Sequence, residues 1–83
     1  MAAVKRRYPA EEFARRGQEI YDRDIRRGVT RSDKGKFVAI DIESGIHEID
    51  EDDCLATERV RERNPLAQIW LVRIGHRATY DMF

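Results

Sequence analysis

Two stretches hold the side chains that could do chemistry. Asp41-Ile42-Glu43-Ser44-Gly45 sets two carboxylates two residues apart ahead of a turn, with Glu48 just beyond it. Residues i and i+2 of a strand share a face, so Asp41 and Glu43 would point the same way. Paired carboxylates are hard oxygen donors suited to magnesium, and bound magnesium can activate a water for attack on a phosphodiester. The second stretch, His76-Arg77-Ala78-Thr79-Tyr80-Asp81, would add a histidine base and one more carboxylate.

These stretches resemble the Asp-x-Glu-Thr-Gly motif and the late His-x-Ala-x-x-Asp motif of proofreading-type 3′–5′ exonucleases. Length and spacing count against that chemistry. Such domains are about double the length of these 83 residues, and nothing between Gly45 and His76 supplies their middle carboxylate motif. Asp41, Glu43 and Glu48 would still share one hairpin face, where like charges directly opposite destabilise a sheet unless something neutralises them. An arginine does so without a metal. The reading therefore assigns no catalytic residue, no metal and no cofactor. His47 is expected as a packed, hydrogen-bonded histidine, and His76, in the turn Gly75-His76-Arg77, as a solvent-facing one open to a partner. Neither has a serine or cysteine in a recognisable nucleophile setting. Gly28, Gly35, Gly45 and Gly75 are isolated turn residues, so no phosphate-cradling loop exists.

The elements that must position these residues follow from periodicity. Val38, Ile40 and Ile42 alternate with Ala39, Asp41 and Glu43, the signature of a half-buried strand. A two-residue Ser44-Gly45 turn would set Ile42 opposite His47, Ile40 opposite Ile49, Asp41 opposite Glu48 and Glu43 opposite Ile46. The hairpin, over 36–50, would then have one oily face and one acidic face. Upstream, residues 1–8 read as a basic flexible tail carrying Lys5, Arg6 and Arg7. Pro9, Glu11 and Glu12 open an amphipathic helix over 10–27. Its apolar side holds Phe13, Gly17, Ile20, Tyr21 and Ile25, and its opposite side holds Arg15, Arg16, Arg23, Arg26 and Arg27. Asp24 is a misfit inside the apolar arc.

Downstream, Asp50-Glu51-Asp52-Asp53 supplies a cap and an acidic first turn for a second helix over 51–63, closed by Asn64-Pro65. Gln68 to Ile74 is the most hydrophobic run and reads as a central strand with Trp70 in the core. Residues 78–83 would return as a last strand, making a strand pair over 67–83. The expected fold class is α+β: an N-terminal amphipathic helix followed by a ββαββ unit, with one mixed four-stranded sheet and its helices packed on one face. The third strand would lie parallel to the second through a right-handed crossover, or pair with the first.

Composition bounds the function classes. Eighty-three residues make one small domain, and a single sheet layer with two helices rarely encloses a pocket of about 300 Å³. A face or an edge is the natural working surface. Basic and acidic residues balance at sixteen each. Residues 1–36 nevertheless carry eleven basic against six acidic, and residues 37–63 three against nine. That asymmetry suggests internal complementarity, a charged partner, or both. Cys54 is the only cysteine, which excludes an internal disulfide and fits a reducing compartment. No apolar stretch is long enough to span a membrane, and Tyr8-Pro9-Ala10-Glu11-Glu12 follows the basic start where a signal peptide needs an apolar run. The expected location is cytoplasmic.

Gly35-Lys36-Phe37-Val38-Ala39-Ile40-Asp41, Ser44-Gly45, Glu48-Ile49-Asp50, Asn64-Pro65 and Arg73-Ile74-Gly75-His76-Arg77 form a string that resembles a family of short bacterial proteins of unknown function. The hairpin-helix-strand core is also similar to small antitoxins with a partial ribonuclease-H-like sheet. The resemblance implies a non-enzymatic accessory protein that binds a protein partner. Its surfaces would be an exposed sheet edge, the five helix arginines, the carboxylates of Asp41, Glu43 and Glu48, and the His76-Arg77 turn. A homodimer through the first helix or last strand is compatible with this. A nucleic-acid-binding alternative rests on Lys5, Arg6, Arg7 and the arginine face, and a metal-dependent nuclease is the remote third reading.

Overall fold

The computed structural model describes residues 6–75. Three strands, β1 (Phe37–Asp41), β2 (His47–Asp50) and β3 (Ile69–Arg73), form an antiparallel sheet in the order β2-β1-β3. Helix α1 (Ala10–Ile20) precedes the sheet and α2 (Asp53–Arg63) connects β2 to β3. The protein is thus a small α+β fold, and the three strands of the described residues form an antiparallel sheet rather than a mixed one. The fourth strand expected over 78–83 lies outside the described residues.

The third strand pairs with the first, which makes β1 central and β3 an edge. Among the described strands the most hydrophobic run is therefore not the middle of the sheet. β1 earns that place because both of its faces are covered: Val38, Ala39, Ile40 and Asp41 have no exposed surface. Val38, Ile40 and Ile42 pack with Phe13, Ile20, Tyr21 and Ile25 on the α1 side. Ala39 packs with Ala56, Val60 and Ala67 on the α2 side. The helices accordingly lie on opposite faces of the sheet, not on one. Small residues at positions 39 and 56 let α2 sit close over a face that alternation alone marks as polar.

The hairpin turn is longer than two residues. Asp41 donates its N–H to the Ile46 carbonyl at 2.8 Å and its own carbonyl accepts the Gly45 N–H at 2.8 Å, closing a four-residue loop with Gly45 at φ +84°. Ile40 consequently stands opposite His47, Val38 opposite Ile49 and Ala39 opposite Glu48. A slip of two residues keeps every side chain on its face, yet it separates Asp41 from Glu48.

The first helix is not regular over 10–27. It is α-helical to Ile20, widens to a π turn at Tyr21–Ile25, and tightens to a 3-10 turn at Arg26–Gly28. The wide turn accounts for Asp24. An extra residue per turn lets Tyr21 and Ile25 both reach the core, while Asp24 swings out to pair with Arg23 at 2.8 Å. Helix α2 starts at Asp53, with the Asp52 carboxylate accepting the N–H groups of Cys54 at 2.8 Å and Leu55 at 3.3 Å. It stops at Asn64, held extended ahead of Pro65 (φ −147°, ψ 97°), as the residue before a proline must be.

Candidate functional site

The three hairpin carboxylates go to three separate places. Asp41 is fully buried. Its Oδ1 accepts the N–H groups of Glu43 and Gln68, each at 3.1 Å, and its Oδ2 accepts the Ser44 hydroxyl at 2.7 Å and the Asn64 amide at 3.0 Å. Four donors fill the four lone-pair sites of a carboxylate. Burial raises the Asp41 pKa, but the Ser44 hydroxyl, the two backbone N–H groups and the Asn64 amide outweigh it, so the group sits below the ordinary carboxylate range. Asp41 therefore does not face outward, as the period-two alternation implies. It joins the end of β1, the hairpin loop, the α2 terminus and the start of β3. A cation could reach it only by breaking those bonds.

Glu43 instead meets the segment ahead of α1. It accepts from the Arg7 guanidinium and, at 2.9 Å, from the Tyr8 hydroxyl. The Arg7 bond and then the Tyr8 bond hold its carboxyl below the usual range. Tyr8 lies under the Arg16 guanidinium, 4.6 Å from its ring centre, and the Arg7 N–H binds the Gln68 side-chain oxygen at 2.6 Å. Residues 7 and 8 are thus docked rather than part of a flexible tail, and Lys5 lies outside the described residues. Glu48 pairs with Arg63 at 3.1 Å, and its neighbour Asp50 pairs with Arg59 at 2.9 Å. The hairpin's arginines come from α2 and from Arg7, not from the outer side of α1.

The α1 arginines are largely neutralised on their own helix. Arg15 pairs with Glu19, Arg16 with Glu12, Arg23 with Asp24 and Arg26 with Asp22, at 2.8–3.5 Å. Arg27 is exposed and makes no ion pair among the described residues. His47 is half-buried, opposite Ile40, with Nδ1 3.1 Å from the Gly45 carbonyl. His76 and Arg77 lie outside the described residues. An exposed trio of Asp52, Asp53 and Cys54 brings acidic groups beside the thiol, and Asp53 and then Asp52 push the Cys54 pKa up, the direction that quiets a thiol.

A shallow concavity of about 250 Å³ lies between the α1 side and the hairpin loop, lined by Arg16, Arg23, Glu43 and Ser44, and another runs along the free side of β3. The latter is an open groove of about 400 Å³, with Ala10, Phe13 and Ala14 of α1 on one wall, Arg61 of α2 on the other, and Arg6 also in its lining. Ile69, Trp70 and Leu71, all half-buried, form its base. In an antiparallel ladder, alternate residues turn their N–H and C=O groups to the neighbour. Ile42 donates to Gln68 and Ile74 donates to Lys36, so the even-numbered residues of this strand face β1. Ile69, Leu71 and Arg73 turn their backbone groups away from β1, where no described residue bonds to them, and Ile69 and Leu71 line the groove. Trp70 is not core. Its ring lies so close to Gly17 that a Cβ there would overlap it, and it forms part of the groove's base. Arg6 and Arg61 form no salt bridge with any described residue.

Sequence reasoning names Arg6 for a different purpose and misses Arg61 and the β3 groove. The signal that could have found Arg61 is the trio Arg59, Arg61 and Arg63 on one short helix. Positions 59 and 63 share a side of that helix and position 61 points away. No helix among the described residues is long and apolar enough to cross a membrane. Comparison of the chain with protein-family models, with curated proteins and with solved structures finds no match.

Proposed function

We propose that this chain is a non-catalytic accessory module that binds a protein partner by taking an extended segment of it as an added strand along β3. The observation that carries the reading is the outer edge of β3: three residues with unmatched backbone donors and acceptors among the described residues, two of which, Ile69 and Leu71, lie at the base of a groove already walled by two helices. A strand laid there gains main-chain hydrogen bonds from the edge and side-chain contacts from the walls, the logic of β-augmentation. The saturated carboxylate of Asp41 and the internally paired Glu43 and Glu48 favour binding over metal-assisted hydrolysis. The accessory role implied by the motif string's resemblance to short bacterial proteins of unknown function points the same way.

The test is hydrogen exchange on the complex captured from cells that make this protein. Binding should protect the Ile69, Leu71 and Arg73 amides. Leu71→Pro, which removes one outward N–H at a position where an edge strand tolerates proline, should release the same partner. Because Leu71 also touches the α2-side core, the double variant Arg6→Glu/Arg61→Glu serves as a second block that leaves the core intact. Protection confined to the outer side of α1, with both variants still binding, defeats the proposal.

A further inference from the structure

The groove beside β3 has two chemically different sides. Side chains of any strand alternate between faces, so those of a strand added along Ile69–Arg73 fall in turn toward α1 and toward α2. On the α1 side they meet Ala10 and Ala14 above the Trp70 ring, two small residues over an aromatic surface. That surface exists because Gly17 lets the indole lie flush against the helix. On the α2 side they pass Ile69 and Leu71 and meet Arg61, exposed and without an ion pair among the described residues, the one charge that α2 brings to the lining. Arg6 adds a second such charge to the lining. The inner neighbour of β3 shows a related arrangement: β1 turns Val38 and Ile40 toward α1, and toward α2 it turns the small Ala39 and then the Asp41 carboxylate, which Asn64 binds.

We infer that the segment β3 accepts, given strand addition as proposed above, alternates between apolar and acidic residues. Aromatic or branched aliphatic side chains at every second position enter the slot between α1 and Trp70, and a carboxylate at an intervening position meets Arg61. Charge also decides against a second copy of this chain as the occupant. Pairing β3 with β3 about a two-fold axis would set each copy's Arg73 against the other's Ile69, beside Arg6 and Arg61. Like charges gathered at an interface oppose association. An acidic occupant reverses that sign.

The experiment titrates the full chain with three end-blocked hexapeptides at low salt. The first alternates Asp-Phe-Asp-Leu-Asp-Val, the second has the same composition with its acids grouped at one end, and the third carries lysine in place of aspartate. The alternating acidic peptide should bind at least about tenfold more tightly than the grouped one, since only alternation sends both chemistries to their proper walls. The lysine peptide should not bind, and Arg61→Glu should reverse the preference between acidic and basic peptides. Arg27→Glu, an exposed charge outside the groove lining, should change nothing. Equal binding of all three peptides with protection of the Ile69, Leu71 and Arg73 amides overturns the alternation rule while strand addition stands. Amides already protected in the free chain, or a dimer that Leu71→Pro dissolves, overturn both.

Discussion

The two edges of the sheet are closed in different ways. Along β2 the edge is short, and the carboxylates of Glu48 and Asp50 are met by Arg63 and Arg59 reaching down from α2. Along β3 the edge is one residue longer and has helix walls but no ionic cover, and its arginine, Arg61, has no partner among the described residues. One helix does both. Positions 59 and 63 project to one side, and position 61 lies about 180° around the axis from the mean of that direction. Natural sheets blunt exposed edges with charge, brevity or cover. Here one edge has its charges matched from within and the other keeps unmatched charges beside unmatched backbone. On the strand-addition proposal that edge is the binding surface, and the two arginines would make it selective.

The largest effect should come from the residue on which both edges depend. Asp41→Ala would strip four donors of their acceptor in a buried junction, two of them backbone N–H groups that fix the hairpin loop and the entry to β3. Orphaning buried donors to a charged acceptor in this way should cost about 3–5 kcal/mol, measurable by urea unfolding. The same carboxylate carries a pH signature. The pKa values of Asp41 and Glu43 are both lower folded than unfolded, so the unfolded chain binds more protons as the solution is acidified. Their stabilisation is present above the ordinary carboxylate range, near pH 4, and is lost as pH falls through the lower folded values. Asp41→Asn, which cannot titrate, should show a shallower acid limb than the wild type. An unchanged limb would remove Asp41 from this role and leave the two edges independent of each other.

Much of this architecture was legible in the sequence, for identifiable reasons. The acids at 50–53 and Asn64-Pro65 mark the limits of α2 because capping and the pre-proline restriction are local effects. The alternation at 38–43 marks a strand but misplaces Asp41, since period two records which way a side chain points and not whether something covers it. Ala39 and Ala56, small and easily passed over, are what allow α2 to cover that face. The Gln68–Ile74 run misled in the opposite direction. Its hydrophobicity suggests a central strand, yet among the described residues Ile69, Trp70 and Leu71 serve an edge with walls on both sides. Asp24 looked out of place only because a regular helical period was assumed where the chain adopts a π turn.

A smaller effect should follow from Gly17→Ala, which bears on the open edge alone. The added methyl would overlap the Trp70 ring and force it outward. Overpacking costs about 1–3 kcal/mol, and the better helix propensity of alanine returns about 1 kcal/mol, so the net loss should be near 1 kcal/mol. Trp70 is the only tryptophan, so its emission should shift to the red as the ring gains solvent. Binding in the groove should weaken with it, while the β2 side stays unchanged. Wild-type emission and wild-type affinity together would mean that Trp70 does not floor the groove.

The finest contrast lies within α2 itself. Arg63→Glu and Arg61→Glu make the same charge change two residues apart on the same helix, and the two edges give opposite expectations. At position 63 the substitution breaks the pair with Glu48. A partly exposed ion pair is worth up to about 1 kcal/mol, so a stability loss of about 0.5 kcal/mol is expected, diminishing with added salt, with groove binding untouched. At position 61 no described partner is lost, so stability should stay within about 0.5 kcal/mol of the wild type, while affinity for an acidic strand collapses. Both variants place a glutamate near the end of α2, so any general penalty from the helix dipole is common to the pair and cancels in the comparison. If the two variants lose stability and binding in parallel, the arginines are one diffuse basic field, and the division of α2 between a closed edge and a receptive one is wrong.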